Sequence, residues 1–248
     1  MKRIFLMLAL VSLFAMSCGD EFDGNSQNYE TIDIQTHNVV DPLAGMSQVS
    51  GISRYNSTDK SCVVNQWSVS STDLGSSGKP WVCAHASLAT SLNLLRGNYV
   101  SNSTKKSQLI YIDSWLEGKY GSDYTSDPHR QASIDQLQKF MGTKTSEFYS
   151  EKKYSSSRST IKSLMINSLR NDYLVLALAQ TVTNSNTFGH FYVVYAINYQ
   201  PTQYGGGTVY YADPNTGGFG TMYFSTFLDR MKSAGNPNHH SFLKMKRY

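Results

Sequence analysis

Three cysteines in 248 residues are too few for a disulfide framework, and a chain of this length can bury a core without one. Charge is sparse as well. Only 16% of residues are charged, and two of the 22 basic residues set against 18 acidic ones are Lys2 and Arg3. That balance excludes the strongly basic surface expected of a nucleic-acid binder. Cys83 and His85 form a C-x-H pair, but no second Cys/His pair at finger-like spacing accompanies them, which argues against a metal centre. No cofactor is expected. Internal repeats are absent, and low complexity is confined to serine-rich patches at 68–77 and 155–159. The apolar run at 4–16 is too short to span a bilayer; with Lys2 and Arg3 ahead of it and small residues behind, it has the layout of a cleaved signal peptide over 1–17.

Residues 18–59 are polar and aperiodic, the pattern of a tether or pro-region with one short strand at 30–34. A single domain is expected over 60–248. Ala84, Leu88, Leu92 and Leu95 fall on one helical face, and Gly97-Asn98 supplies a stop. Further helices are expected at 106–117, 133–141 and 159–171. From Tyr173 the pattern changes, because 174–179 is a continuous apolar run of strand length, suited to a central strand covered on both faces. More strands are expected at 190–198, 208–213, 221–224 and 241–246, with a short helix at 225–232. Helices first and antiparallel strands second make an α+β fold.

Three residues carry the candidate chemistry. Cys83 opens a helix, where free backbone N–H groups and the positive end of the helix dipole favour a thiolate. His190 heads an apolar strand, and Asp213 ends the next one before Pro214. If those strands form a hairpin pairing Asn198 with Gly205, His190 faces Asp213 across it, and a slip of a residue or two leaves the two within reach. The carboxylate then holds the imidazole in one tautomer and favours its protonated form, and an imidazolium beside Cys83 favours the thiolate further. Asn215 is an alternative orienting residue, and His129 an alternative base. His85 lies about 200° around the helix from Cys83 and is badly placed to act on it. His239 and His240 read as solvent-facing. Cys62 reads as a buried or partly buried free thiol, with a Cys62–Cys83 disulfide as the other possibility.

The stretch Pro80-Trp81-Val82-Cys83-Ala84 with its Leu-rich helix resembles the Trp-Cys-Ala nucleophile helix of staphopain-like and plant-effector-like papain relatives. Gly189-His190-Phe191 and Asp213-Pro214 with Gly217 resemble the histidine strand and Asp-Pro turn of bacteriocin-leader peptidases. The likeness runs from about Val63 to the C-terminus at the level of motifs. It implies a papain-like fold, with an N-terminal helical half and a C-terminal antiparallel sheet. By it Cys83 is the nucleophile, His190 the general base and acid, and Asp213 the orienting residue. The oxyanion glutamine of those relatives stands about six residues before the cysteine. Here the nearest is Gln66, seventeen before it, a gap that a loop insertion at 68–79 would reconcile. Val82 also separates Trp81 from Cys83, which several relatives have adjacent.

Ala15-Met16-Ser17-Cys18-Gly19 is similar to a bacterial lipobox, with Ala15 where leucine is usual. That implies acylation of Cys18 and a lipid anchor in the cell envelope, and Asp20, Glu21 and Asp23 resemble the acidic tract of surface-exposed outer-membrane lipoproteins. The expectation is therefore an envelope-bound or secreted cysteine peptidase, acting as a monomer on protein or peptide substrates. The alternatives are a peptidoglycan-cleaving cysteine amidase or endopeptidase, a transglutaminase-like acyltransferase, and an inactive papain-like binding lipoprotein.

Overall fold

The computed structural model describes residues 41, 43–50, 60–97, 100–183, 186–231 and 240–248. The expected signal peptide, Cys18, the strand at 30–34 and His239 lie outside the described residues. In chain order the elements are β1 (Gly45–Gln48), α1 (Ser71–Leu74), α2 (Cys83–Arg96), α3 (Asn102–Tyr120), α4 (Ser122–Thr125), α5 (Ile134–Lys144), β2 (Phe148–Ser155), α6 (Arg158–Arg170), β3 (Leu174–Thr183), β4 (Asn186–Tyr199), β5 (Gly207–Asp213), β6 (Gly218–Tyr223), α7 (Phe224–Arg230) and β7 (His240–Arg247). Among the described residues these make an α+β fold of seven helices and one seven-stranded antiparallel sheet, ordered β2-β7-β3-β4-β5-β6, with β1 also paired to β4.

The apolar run at 174–179 becomes the middle of that sheet, as its composition requires. Val175, Ala177 and Ala179 join the core under α6 and α7, while Leu176 and Leu178 join the core of α2, α3 and α5. Two strands were not visible in the sequence. β2 interrupts the helical half between α5 and α6; it is an edge strand whose residues are mostly half-buried, and its charges are used laterally, Glu151 pairing with Lys153 and with Lys244 of β7. β1 lies inside the stretch expected to be tether. Arg170 of α6 holds it, donating to the carbonyls of Leu43 and Ala44 and to Ser47 Oγ. The folded region therefore starts before residue 60.

The helix bearing Cys83 is covered all round rather than on one face. Every residue from Cys83 to Asn93 is buried. Polar positions on α2 are tolerated because each finds a partner: Thr90 Oγ1 accepts from the Val64 N–H at 2.9 Å, Asn93 Nδ2 donates to the Cys62 carbonyl at 3.2 Å, and Ser87 Oγ donates to the Phe191 carbonyl at 3.1 Å. The helix ends as expected at Gly97, whose left-handed conformation returns its N–H to the carbonyls of Asn93 and Leu94.

His85 completes a buried polar chain behind α2. Tyr124 donates to Asp113 Oδ1 at 2.6 Å, so its oxygen accepts from His85 Nε2–H at 2.7 Å, and the imidazole is the neutral Nε2–H tautomer. Burial, with the positive charge of Arg130 adding to it, takes the His85 pKa from 6.5 down to about 3. Because the unfolded chain protonates this histidine first, its contribution to stability is complete above pH 6.5 and is lost as pH falls toward 3. Denaturant titrations between about pH 6.5 and 5 should show stability falling by up to about 1.4 kcal/mol per pH unit from this group. His85→Gln should flatten that slope; an unchanged slope would mean that His85 is not buried neutral.

Candidate active site

The β4–β5 hairpin brings the histidine and the carboxylate together, in a register different from the expected one. Asn198 pairs with Thr208, three residues beyond Gly205, because the turn runs through to a Tyr199–Gly207 pair. Gly207 takes a φ of 97°, and a Cβ there would stand 1.9 Å from the Asn198 carbonyl oxygen, so only glycine closes this turn. A bulge between Val194 and Ala196 takes one residue back, so that Val193 pairs with Ala212. The net offset of two keeps His190 and Asp213 on the same face, since side chains alternate with period two. His190 reaches diagonally, and its Nε2 lies 2.8 Å from Asp213 Oδ1.

With Nε2 committed to Asp213, Nδ1 is the ring nitrogen left for Cys83, whose side chain lies near enough to act on the ionisation of His190. Burial pushes the His190 pKa down, but the hydrogen bonds to Asp213 and Cys83, together with the charge of each, outweigh it and raise the pKa from 6.5 to about 9. The ring is also held from behind. Tyr192 meets it edge-on at 4.6 Å between centroids and is itself packed against Tyr211 and Phe227. This aromatic support had no signature in the sequence beyond the Tyr-rich strands.

Cys83 is buried, and neither Cys83 nor Cys62 is in a disulfide. Val82 occupies the N-cap position of α2 and offers no side-chain hydrogen bond, so no capping side chain competes with the site for the N–H groups of the first turn. One turn along, the Ser87 bond to the Phe191 carbonyl pins the helix to β4 at the residue after His190. Ser87 is thus a positioning residue that sequence reading missed.

Gln66 lies in a short 3-10 turn, Gln66–Ser68, and is 5% exposed. The segment leading to it runs back along α2, with Cys62 beside Asn93 and Val64 beside Thr90. Two residues further, Gln66 is carried toward the N-terminal turn of α2, where Cys83 stands. Its backbone N–H donates to the Pro214 carbonyl at 2.9 Å and its Nε2 to Asn215 Oδ1 at 3.2 Å. The chain between Gln66 and Cys83 includes α1 and a loop that spans the intervening residues.

The rival residues fall elsewhere. Asn215 contacts Gln66 and Trp67, while Asp213 takes the imidazole. His129 stacks on Trp81, 4.5 Å between centroids, with Nδ1 against the Lys79 carbonyl. It braces the approach to α2. His240 is half-buried at the start of β7 opposite Ser155, not solvent-facing, because β2 covers that end of the strand. Among the described residues no group of three or more His, Cys, Asp or Glu is arranged to hold a metal ion, and no helix is long and apolar enough to cross a membrane. No protein-family model matches the chain, and no curated protein does.

Proposed function

We propose that this protein is a papain-like cysteine peptidase that hydrolyses peptide bonds at the bacterial cell envelope, tethered through acylated Cys18. The observation that carries the reading is His190 set between Cys83 at the uncapped start of α2 and Asp213 at the end of β5. The lipid anchor and envelope location rest on the first 23 residues of the sequence.

The arrangement supports the following chemistry. The Cys83 thiolate attacks the carbonyl carbon of the scissile amide, and the carbonyl π pair moves onto oxygen, where the Cys83 N–H and Gln66 Nε2 can donate to it. When that intermediate collapses the C–N bond breaks, and His190 gives its Nδ1 proton to the departing amine. Neutral His190 then takes a proton from water as the oxygen attacks the thioester. Collapse of the second intermediate frees the acid and restores the Cys83 thiolate beside imidazolium. Asp213 accepts from Nε2–H throughout and balances the positive ring.

The same steps cleave a peptidoglycan cross-link or stem amide, so the substrate decides between two enzymes. Purified, reduced protein incubated with a denatured polypeptide and, separately, with purified sacculi is expected to release new amino termini from the polypeptide. Release from sacculi alone would assign it as a peptidoglycan amidase or endopeptidase. Release from neither, with Cys83 no more reactive than an ordinary thiol, would reduce it to a binding lipoprotein.

A further inference from the structure

The turn after β5 does more than present Asp213. Asn215 Oδ1 accepts two hydrogen bonds, from Gln66 Nε2 at 3.2 Å and from Trp67 Nε1 at 3.1 Å. An indole N–H can only donate, so the oxygen of the Asn215 amide is fixed on that side. The group of Gln66 that meets this oxygen is then its NH2. Turning the Gln66 amide over would set its oxygen against another acceptor. Gln66 Oε1 is buried with no hydrogen-bond partner, so Asn215 alone among these contacts fixes the orientation of the carboxamide. One hydrogen of Nε2 is used by Asn215, and the other remains to donate.

The same residue is tied to the catalytic carboxylate. The Asn215 backbone N–H donates to Asp213 Oδ1 at 2.8 Å, on the oxygen that also takes His190. Gly217 closes the turn with a φ of 65°, and a Cβ on it would crowd the Asn65 side chain at 2.9 Å, so the turn and the 65–67 segment are in tight contact. The orienting carboxylate and the side chain that holds the Gln66 amide are thereby carried by one short turn.

We infer that Asn215 is a positioning residue for the oxyanion hole, locking the Gln66 carboxamide with its nitrogen available to the tetrahedral oxyanion. The inference rests on the thiol-hydrolase reading. A preset donor stabilises developing charge without reorganising at the moment of reaction, and a carboxamide free to rotate or flip loses that advantage. Asn215 acts through Gln66 and touches no reacting atom.

Two probes separate this role from general support. Iodoacetamide alkylates a thiolate by displacement at carbon and forms no oxyanion, whereas 4-nitrophenyl acetate reacts through a tetrahedral oxyanion. Asn215→Leu in the full chain should slow ester cleavage by about 10- to 100-fold while Cys83 alkylation at about pH 6 stays within about twofold of wild type. Gln66→Ala should do the same, and the double variant should be no slower than Gln66→Ala, because both remove one donor. Asn215→Asp, equal in size and still an acceptor, should keep more ester cleavage than Asn215→Leu. Should the leucine variant not fold, Asn215→Ser, too short to reach both donors, carries the comparison. Ester cleavage and alkylation falling together, the two losses multiplying in the double variant, or Asp and Leu behaving alike would each overturn the inference. A wild type that shows neither enhanced alkylation nor ester cleavage fails at the earlier step, the hydrolase reading itself.

Discussion

Cys83→Ala should abolish hydrolysis and all labelling by a peptidyl epoxide of the kind that traps cysteine peptidases, as read by intact mass. Loss of a nucleophile that acts as one unit with its base costs on the order of 10⁶ in kcat, so no residual rate should rise above background. His190→Ala should come close to the same result, because without the imidazole no base activates the sulfur and no acid supplies the leaving amine with a proton. Cys62→Ala should label like wild type. Cys62 is buried, and its segment lies at the Asn93 end of α2, about two turns or more from Cys83. Labelling that persists in Cys83→Ala, or disappears in Cys62→Ala, would place the reactive thiol elsewhere and remove the basis of the mechanism.

What the sequence could announce was local. A cysteine ahead of Ala84, Leu88 and Leu92 with Gly97 as terminator specifies a helix beginning at Cys83, because periodicity and caps act over a few residues. The run at 174–179 and the strands on either side of 199–207 were legible for the same reason. Contacts between distant residues were not. β2 carries Glu151, Lys152 and Lys153 in a row and has no alternating pattern, since an edge strand with one neighbour need not bury a face. The hairpin register depended on a bulge at Tyr195 and a turn closed at Gly207, neither of which a simple count of opposed residues includes. The face survived because the errors summed to an even number. Ser87, Tyr192 and the hydrogen bond from Gln66 to Asn215 escaped notice because each involves an ordinary residue whose part comes from where another segment crosses it.

Removing the carboxylate should move the pH profile as well as the rate. His190 carries its proton up to about pH 9 because Asp213 and Cys83 outweigh the effect of burial, so wild-type kcat/KM should fall on the alkaline side near that value as the imidazolium is lost. In Asp213→Ala both the hydrogen bond and the charge disappear while burial remains, so the alkaline limb should shift toward neutrality. The rate at the optimum should drop by roughly 10²- to 10⁴-fold as the ring also loses its fixed tautomer. Asp213→Asn should fall between the two. The Asn215 N–H holds Oδ1 of residue 213 in place, so an asparagine there can still accept from Nε2–H and loses only the charge. A limb that stays near pH 9 in Asp213→Ala would mean that Asp213 serves only to build the turn. Stability offers an independent check with a definite sign. A histidine whose folded pKa is raised contributes fully below pH 6.5, and that contribution is lost as pH rises through about 9. Wild type should therefore lose stability between those values and Asp213→Ala should lose less. His85 acts in the opposite direction below pH 6.5, so the combined contribution of the two histidines is greatest near that pH.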